Sequence, residues 1–363
     1  MKKLILSILA ILLCLSAFTL IACNGDDSTT TGDITTTNSD KVTTFPPLSP
    51  DCDHVEEIIK GKEPTTSNTG YTDGKKCALC GGILESQYVI PALKFVDGFE
   101  YRLNEEGSSY TLTGIGAITD TNIVIPFEYN GLPVTAIGNH AFEECNFIVS
   151  VEIPDSVLDI GMGAFLKCEN LESVKLSKNI SEINNYTFSF CKSLTSIIIP
   201  DGVTYIGNYV FRHCENLVSI EIPDSVTDVK EGAFLGCKNL ISVDLSNNMT
   251  SIADYMFAKC EKLISIEIPE SVKTIGEYAF YACEKLQSVV IPNGVEIVEI
   301  HAFRDCSSLK KVVISDSVKE MYAAFKNCAV DIVVYCEARE RPTGWRSSWS
   351  NGVKKVVWGY DGE

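Results

Sequence analysis

Four residues near the start of the chain have the types and spacing of a metal site. Cys52 and His54 form a Cys-x-His pair, and Cys77 and Cys80 form a Cys-x-x-Cys pair. Two close pairs of soft ligands are typical of a closed structural zinc site, which can fold a segment too small to hold itself together. The alternatives are a disulfide, Cys77–Cys80 or Cys52–Cys77, or neither. The sequence thus predicts a structural zinc ion in residues 51–93 as one possibility, and it requires no other cofactor.

Nine further cysteines recur at a fixed interval, with Phe three residues before each one. The first eight are 23 residues apart and the last interval is 22: Cys145, Cys168, Cys191, Cys214, Cys237, Cys260, Cys283, Cys306 and Cys328. A reactive Cys would need an electropositive partner repeated with it, and none is present. We therefore expect buried thiols rather than a disulfide ladder. Cys328 and Cys336 form a separate pair that could bridge.

No motif in the sequence predicts catalysis. The chain has only four histidines and lacks Gly-x-Ser-x-Gly, Walker and His-Glu-x-x-His motifs. Its carboxylates stand in repeat columns rather than in a converging set, so we expect that the protein is not an enzyme. The net charge of −18 argues against nucleic acid as a partner, because phosphate binding needs a basic face.

The spacing predicts the elements that position these residues. Apolar pairs such as Val151 and Ile153 follow each repeat Cys by six and eight residues. A fixed period in this range predicts a repeat solenoid of β-rich α/β class, in which each coil adds one short parallel strand. Phe and Cys, three residues apart, would both face inward from a short helical or 3-10 return segment.

The N-terminus predicts export. Lys2 and Lys3 precede an uncharged apolar run, and Leu20-Ile21-Ala22-Cys23 resembles the lipobox of bacterial lipoproteins. That resemblance implies a lipid on Cys23, whereas an uncleaved transmembrane anchor is the alternative. Either way, we expect the protein at the cell membrane, held there by its anchor and facing outside the cytoplasm.

These features divide the chain into six segments. Residues 24–50 contain eight threonines, three serines and three prolines, a composition typical of a disordered tether. The predicted segments are a lipoprotein signal peptide (1–22), the lipid attachment and tether (23–50), a small Cys/His module (51–93), a β-rich N-terminal cap (94–133), the solenoid (134–328) and a C-terminal cap (329–363).

The repeat unit identifies a family resemblance. Residues 260–280 read Cys-Glu-Lys-Leu-Ile-Ser-Ile-Glu-Ile-Pro-Glu-Ser-Val-Lys-Thr-Ile-Gly-Glu-Tyr-Ala-Phe, which resembles the leucine-rich repeats of BspA-like bacterial surface proteins. The resemblance covers roughly residues 98–363, including a closing segment that contains Trp345 and Trp358. It implies a right-handed leucine-rich-repeat coil and a role in adhesion, to host matrix proteins or to other cells.

The side chains that point out of the strands are the candidate binding face. Because side chains alternate along a strand, positions five and seven after each Cys face outward. The candidate residues are Ser219, Ser242 and Ser265 in the first column and Glu221, Asp244, Glu267, Val290 and Val313 in the second. An acidic strip beside an apolar strip suits protein binding. The alternative is a solvated hydroxyl ladder, with half-buried apolar residues at the strand edge.

The sequence therefore predicts a non-enzymatic surface lipoprotein that binds an extracellular protein. We expect the solenoid to be a monomer. Its alternative function is that of a structural or cell-envelope-associated spacer that binds carbohydrate or peptidoglycan. In that case, a column of tyrosines that includes Tyr255 and Tyr278 would provide the contacts.

Overall fold

The structure is a computed structural model that describes residues 56–60, 70–71, 74–78, 83–85, 89–90 and 98–362. The chain divides into two compact units, residues 1–59 with 74–86 and residues 60–73 with 87–363. The predicted signal peptide, the tether and Cys23 lie outside the described residues. Within the described part, no helix has the length and apolar character needed to cross a membrane.

The described part of the first unit is a small antiparallel sheet. Its strands are β1 (Glu56–Ile59), β3 (Gly74–Cys77) and β4 (Ile83–Glu85), paired in the order β1-β3-β4. The Lys75 Nζ atom lies 3.3 Å from Glu56 Oε2 across the β1–β3 pair. In the second unit, β2 (Gly70–Tyr71) pairs antiparallel with β5 (Val89–Ile90).

The second unit continues with strands that begin the solenoid. Strand β6 (Glu100–Leu103) pairs antiparallel with β7 (Tyr110–Gly114), and β9 (Glu128–Tyr129) pairs antiparallel with β10 (Leu132–Ile137). Strand β10 is also parallel to β7, so the pairing changes from antiparallel to parallel within this segment.

Most of the following strands form two rows of parallel pairs, one strand of each row per coil. The first is the serine row, because most of its strands begin with Ser. Its strands are β8 (Asn122–Val124), β11 (Ser150–Glu152), β13 (Ser173–Lys175), β15 (Ser196–Ile197), β17 (Ser219–Glu221), β19 (Ser242–Asp244), β22 (Ser288–Ile291), β24 (Lys311–Ile314), β26 (Val333–Cys336) and β27 (Lys355–Trp358). Each pairing runs in register, as Ser219 with Ser242 illustrates. The predicted parallel strands are thus confirmed.

The second row consists of strands of two residues each. They are β12 (Asp159–Ile160), β14 (Glu182–Ile183), β16 (Tyr205–Ile206), β18 (Asp228–Val229), β20 (Ser251–Ile252), β21 (Thr274–Ile275), β23 (Ile297–Val298) and β25 (Glu320–Met321). The second residue of every pair is buried, so this row closes the other side of the core. The repeat pattern did not predict these strands as strands, because two residues are too few to show an alternation.

The serine row is interrupted in the Cys260 coil. Residues 264–269 are not assigned to a strand, although one strand was expected in every coil. The backbone still follows the stack here, but the bond from Ile264 N–H to Ile241 O is 3.4 Å long, compared with 2.9 Å from Ile241 N–H to Val218 O.

The core is a continuous stack of identical side chains. The repeated phenylalanines from Phe142 to Phe325 are fully buried, and consecutive rings lie nearly parallel with centroids 4.9 to 5.8 Å apart. Offset stacking of this kind stabilises by about 0.5–1.5 kcal/mol per pair beyond the burial of area. Since each ring packs on the ring of the next coil, no coil completes its core alone.

The return segments, the six residues that end at each repeat Cys, are not helical. The structure assigns no helix among the described residues, which corrects the expected helical or 3-10 turn. The reason is a left-handed residue at two positions of nearly every return segment. These are, five before Cys, His140, Gly163, Tyr186, Tyr209, Gly232, Tyr255, Tyr278 and His301, and, one before Cys, Glu144, Lys167, Phe190, His213, Gly236, Lys259, Ala282, Asp305 and Asn327, with φ from 54 to 77°.

The left-handed residues redirect the backbone hydrogen bonds toward the neighbouring coil. Phe142 N–H donates to Ala164 O of the next coil at 2.8 Å, whereas Cys145 N–H donates to Phe142 O within its own turn at 3.2 Å. N–H groups therefore alternate between bonds within their own turn and bonds to the next coil. A continuous run of helical i→i−4 bonds cannot form.

The C-terminal end of the solenoid is covered by tryptophans. Trp345 and Trp349 are buried with ring centroids 4.6 Å apart, and Trp345 Nε1–H donates to Val318 O at 2.9 Å. Strand β27 then extends the serine row by one parallel strand beside β26.

Candidate protein-binding face

The serine row exposes alternate side chains, as its strand geometry requires. In β17, Ile220 is buried whereas Ser219 and Glu221 are exposed. In the two following coils, Ser242 with Asp244 and Ser265 with Glu267 are likewise exposed. The structure therefore brings the three serines and three carboxylates singled out from the sequence onto one exposed surface.

The three carboxylates form a column with no cationic partner. Glu221 lies opposite Asp244 in the β17–β19 register, and Glu267 follows one coil later. Within the described part of the chain, none of the three makes an ion pair with a Lys, Arg or His side chain. Like charges on neighbouring strands are mutually destabilising, so a basic partner would relieve the repulsion.

The same column shows how a coil neutralises such a charge elsewhere. Glu152 and Lys175 occupy the equivalent position in two earlier coils, and the Lys175 Nζ to Glu152 Oε1 distance is 2.6 Å. The pair removes the local excess charge. The carboxylates from Glu221 to Glu267 lack such a neighbour, which makes this stretch of the column distinct.

An exposed apolar column runs beside the serines over the same three coils. Val218, Ile241 and Ile264 are 45%, 41% and 46% exposed. Each stands one residue before its coil's serine and three before its carboxylate. The sequence left open whether this apolar column is partly exposed or half-buried at the strand edge, and exposed fractions of 41–46% leave part of each side chain available for contact. We call the surface of these three apolar residues, Ser219, Ser242, Ser265, Glu221, Asp244 and Glu267 the amphipathic patch.

The valines at the C-terminal side of the patch differ from each other in exposure. Val290 is 57% exposed, whereas Val313 on the next strand is half-buried. The two lie opposite each other in the β22–β24 register. The serine row thus continues beyond the carboxylates as an apolar surface.

An open cavity lies at the other side of the patch. It has a volume of about 590 Å³ and is lined by Val174, Lys175, Leu176, Lys178, Asn179, Ile198, Ile199, Pro200, Asp201 and Gly202. Ile198 is 85% exposed. The ammonium groups of Lys175 and Lys178 lie 2.6 Å from carboxylates of Glu152 and Asp155, so both lysines at its wall are already paired.

Two cations of the serine row were not singled out from the sequence. Lys311 occupies the serine position in β24, and its Nζ atom lies 5.4 Å from the Tyr335 ring and 5.9 Å from the Tyr360 ring. Lys355 occupies the same register in β27. The sequence contains a signal for Lys311, because seven successive repeats have Ser at this position and the eighth has Lys311.

Only one predicted metal ligand falls within the described residues. Cys77 is buried at the end of β3, whereas Cys52, His54 and Cys80 lie outside the described part. Among the described residues, no group of three or more His, Cys, Asp or Glu side chains is placed to hold a metal ion. The structural zinc site therefore stays a prediction.

The repeat cysteines are free thiols, all but the half-buried Cys328 are buried, and from Cys168 onward each bonds to the preceding coil. Cys168 Sγ–H donates to Phe142 O at 2.9 Å, and Cys191 Sγ–H donates to Phe165 O at 3.2 Å. Burial raises the pKa of the Cys191 thiol well above its usual value, so the thiol stays protonated and unreactive. Cys328 and Cys336, which we considered as a bridging pair, are also free thiols.

The tyrosines of the return segments are stacked on one another rather than presented singly. The ring centroids of Tyr255 and Tyr278 are 5.1 Å apart with an interplanar angle of 7°. His301 Nδ1 and the Tyr278 hydroxyl lie 2.8 Å apart. Both tyrosines are only partly exposed. The stacking covers one face of each ring, which reduces the flat ring surface that a sugar could contact.

These features define a class of protein: a β-solenoid of parallel strands, with a 23-residue period and one exposed face of ordered columns. A sequence profile described as "BspA type Leucine rich repeat region" matches six copies, over residues 121–240 and 204–332. The matches span more than half of the chain, and the chain belongs to the BspA-type leucine-rich-repeat family.

The chain is similar to solved structures of bacterial leucine-rich-repeat proteins. A leucine-rich-repeat protein of T. pallidum is 31% identical, with a TM-score of 0.50 over 53% of this chain and 91% of that one. A leucine-rich-repeat protein of Bacteroides ovatus is 22% identical, with a TM-score of 0.49 over 73% and 92% of the two chains. A comparison with proteins of curated function finds no match.

Proposed function

We propose that this chain is a non-enzymatic, lipid-anchored protein of the cell surface that binds another extracellular protein through the amphipathic patch. The single observation that carries the proposal is the overlap of two features on the same three coils. Carboxylates without ion pairs stand beside apolar side chains that are 41–46% exposed. Membership in the leucine-rich-repeat family supports an interaction role.

The chemistry of the patch specifies the kind of partner. A protein segment with Lys or Arg beside aliphatic side chains would neutralise the carboxylates and cover the apolar column. The serine column between them is small, so a partner backbone can approach closely. Adhesion to a matrix protein of a host, or to another cell, is the form of binding that fits this proposal.

The N-terminal motif supports the proposed location. A lipid on Cys23 and the tether of residues 24–50 would hold the solenoid at the outer side of the membrane. Nucleic acid is not a suitable partner, because the patch and the chain as a whole are acidic.

Binding to a panel of ligands tests the proposal. The chain from residue 24 onward would be applied to matrix proteins, whole cells and purified cell wall. We expect saturable binding to a protein ligand. The variant Glu221→Lys/Asp244→Lys/Glu267→Lys should weaken it by about tenfold or more, because charge complementarity becomes repulsion.

The matched control changes the net charge equally at exposed carboxylates outside the serine row. Glu182→Lys/Glu277→Lys/Glu284→Lys should bind as the unaltered chain does. Equal loss in both variants would show that only net charge matters and would contradict a specific patch. Binding to purified cell wall alone would instead favour the envelope-associated spacer.

A further inference from the structure

From Glu221 onward, the serine row carries opposite charges at the two ends of a stretch of seven coil positions. Counted along the row from Glu221, the carboxylates occupy the first three coils and Lys311 and Lys355 belong to the fifth and seventh strand positions. The fourth position, between the two groups, is β22 with Val290 at its centre. This stretch of the row is therefore acidic, apolar and basic in turn.

The two lysines lack a carboxylate partner in the same way as the carboxylates lack a cation. Lys310, one residue before Lys311, lies 3.2 Å from Asp331 Oδ2. Among the described residues, neither Lys311 nor Lys355 makes an ion pair with a carboxylate. The Lys311 ammonium group instead lies near the Tyr335 and Tyr360 rings. An ion pair thus forms beside Lys311, whereas the described residues of the row from Glu221 to Lys355 form none among themselves.

We propose that a second copy of this chain docks on the serine row, face to face and with its coils running in the opposite direction. A two-fold axis along strand β22 relates position three to position five and position one to position seven. It places Glu267 of one copy across from Lys311 of the other, and Glu221 across from Lys355. Val290 meets its own equivalent on the axis, as an isologous interface requires.

The spacing of the strands makes these charge pairs reachable. Neighbouring strands are about 4.8 Å apart, so seven positions span about 29 Å. Within each facing pair, the carboxylate and the lysine are two residues apart along the strand, a diagonal distance that long side chains bridge. The alternative axis, along the row, would place each coil on itself and bring like charges together.

The area of contact defines the strength of the dimer. A face about 29 Å long and about 10 Å wide buries on the order of 600 Å² in total, less than the roughly 1,000 Å² of a stable interface. The dimer is therefore weak, dependent on concentration and sensitive to salt. This inference departs from the monomer expected from the sequence, and it uses the acidic patch on which the proposed function also rests.

Sedimentation equilibrium with two complementary variants tests the dimer. Variant A is Glu221→Lys/Asp244→Lys/Glu267→Lys, and variant B is Lys311→Glu/Lys355→Glu. Over about 10 to 500 μM at low salt, the unaltered chain should self-associate, and each variant alone should weaken this by about tenfold or more. An equimolar mixture of A and B should associate again, because each acidic site then faces a basic one.

Controls separate the charge pairs from the net charge. Lys262→Glu/Lys285→Glu alters two exposed lysines outside the row and should leave self-association unchanged. A monomeric unaltered chain over the whole range, or a mixture of A and B that stays monomeric, would overturn the proposal. Variant B keeps all residues of the amphipathic patch, so its binding to the ligand panel reports on the proposed function independently.

Discussion

The Cys237 thiol donates a hydrogen bond to the carbonyl oxygen of Phe211, 3.1 Å away in the preceding coil. Both groups are fully buried, and the same contact recurs in the coils on either side, at Cys214 and Cys260. The thiol is the second donor to this carbonyl oxygen, which also accepts the Cys214 N–H at 3.0 Å within its own turn. The Cys column is thus a polar connection between coils as well as part of the apolar core.

Removing one such thiol should destabilise the solenoid. Cys237→Ala leaves a cavity and removes one of the two hydrogen bonds that the Phe211 carbonyl accepts, so we expect a loss of about 1–3 kcal/mol in the free energy of unfolding. Cys145→Ala is the matched control, because the Cys145 Sγ contact with Glu143 O is 3.8 Å long. Urea denaturation followed by circular dichroism measures both. Equal shifts of the two midpoints would show that the hydrogen bond contributes nothing.

The buried thiols predict a loss of stability at high pH. Burial raises the pKa of Cys328 and of Cys336 to about 12, from an ordinary value of 9.0. A raised pKa in the folded state means that stability is fully present below pH 9 and falls as the pH rises toward 12. The urea midpoint should therefore decline above pH 9. The decline should be shallower in Cys328→Ala/Cys336→Ala, and an identical slope would contradict this cause.

Two aspartates of the Cys145 coil predict opposite effects of the same substitution. Burial and the nearby Glu182 raise the pKa of Asp159, whereas the hydrogen bond from Lys178 lowers the pKa of Asp155. At pH 7, Asp159→Asn should raise stability, since it removes a disfavoured charge, and Asp155→Asn should lower it. For Asp159 the gain should vanish as the pH falls and the carboxyl becomes protonated, and for Asp155 the loss should vanish similarly. Thermal unfolding between pH 3 and 7 checks both signs, and shifts in the same direction would contradict the assignment.

Gly232 should not tolerate a side chain. A Cβ atom there would lie 2.3 Å from the Tyr209 ring, and the residue has a φ of 58°. Gly232→Ala should displace Tyr209 from Glu231, its hydrogen-bond partner, and cost about 1–2 kcal/mol. Gly202→Ala is the control, because the closest atoms lie at 3.5 Å and its backbone is not left-handed. Similar melting temperatures for the two variants would argue against this steric account.

The zinc prediction for residues 51–93 has a direct test. We expect about one equivalent of zinc per purified chain by elemental analysis, and Cys77→Ser should lose it, because a closed site needs all four ligands. Mass spectrometry with and without reductant distinguishes the disulfide alternative. A metal-free chain whose mass increases by two hydrogen atoms on reduction would contradict the zinc site and support the disulfide.

The repeated columns explain which parts of this fold could be predicted. The Cys, Phe and apolar pairs recur at one spacing, as Cys260 and Phe280 illustrate. Equivalent apolar positions in every repeat can all be buried only if the coils stack on one another, so the solenoid could be predicted. The left-handed backbone at Tyr255 and Lys259 was not predicted, because ordinary side chains occupy it. Only the glycines at 163, 232 and 236 mark these positions, and three of many are too few to establish the conformation.

The exposed columns could be assigned from the strand alternation, but their electrostatics could not. Glu152 and Glu221 occupy the same repeat position, yet only Glu152 lies beside a lysine that neutralises it. That difference depends on which coil is the neighbour and on the side-chain geometry. Likewise, Lys311 lies near two tyrosine rings of the C-terminal cap. The repeat pattern does not predict how the strands of that cap pair with the last coil, so this contact could not be predicted.

The hydrogen bonds of the return segments give the solenoid a direction of assembly. His140, Phe142 and Glu144 all donate their N–H groups to carbonyls of the coil that follows in the chain. During synthesis from the N-terminus, the N–H donors of each newly made coil therefore have no acceptor until the next coil has been translated. A chain stopped between coils always ends in such donors, so a shortened version of this protein needs a new C-terminal cap at whichever coil it stops.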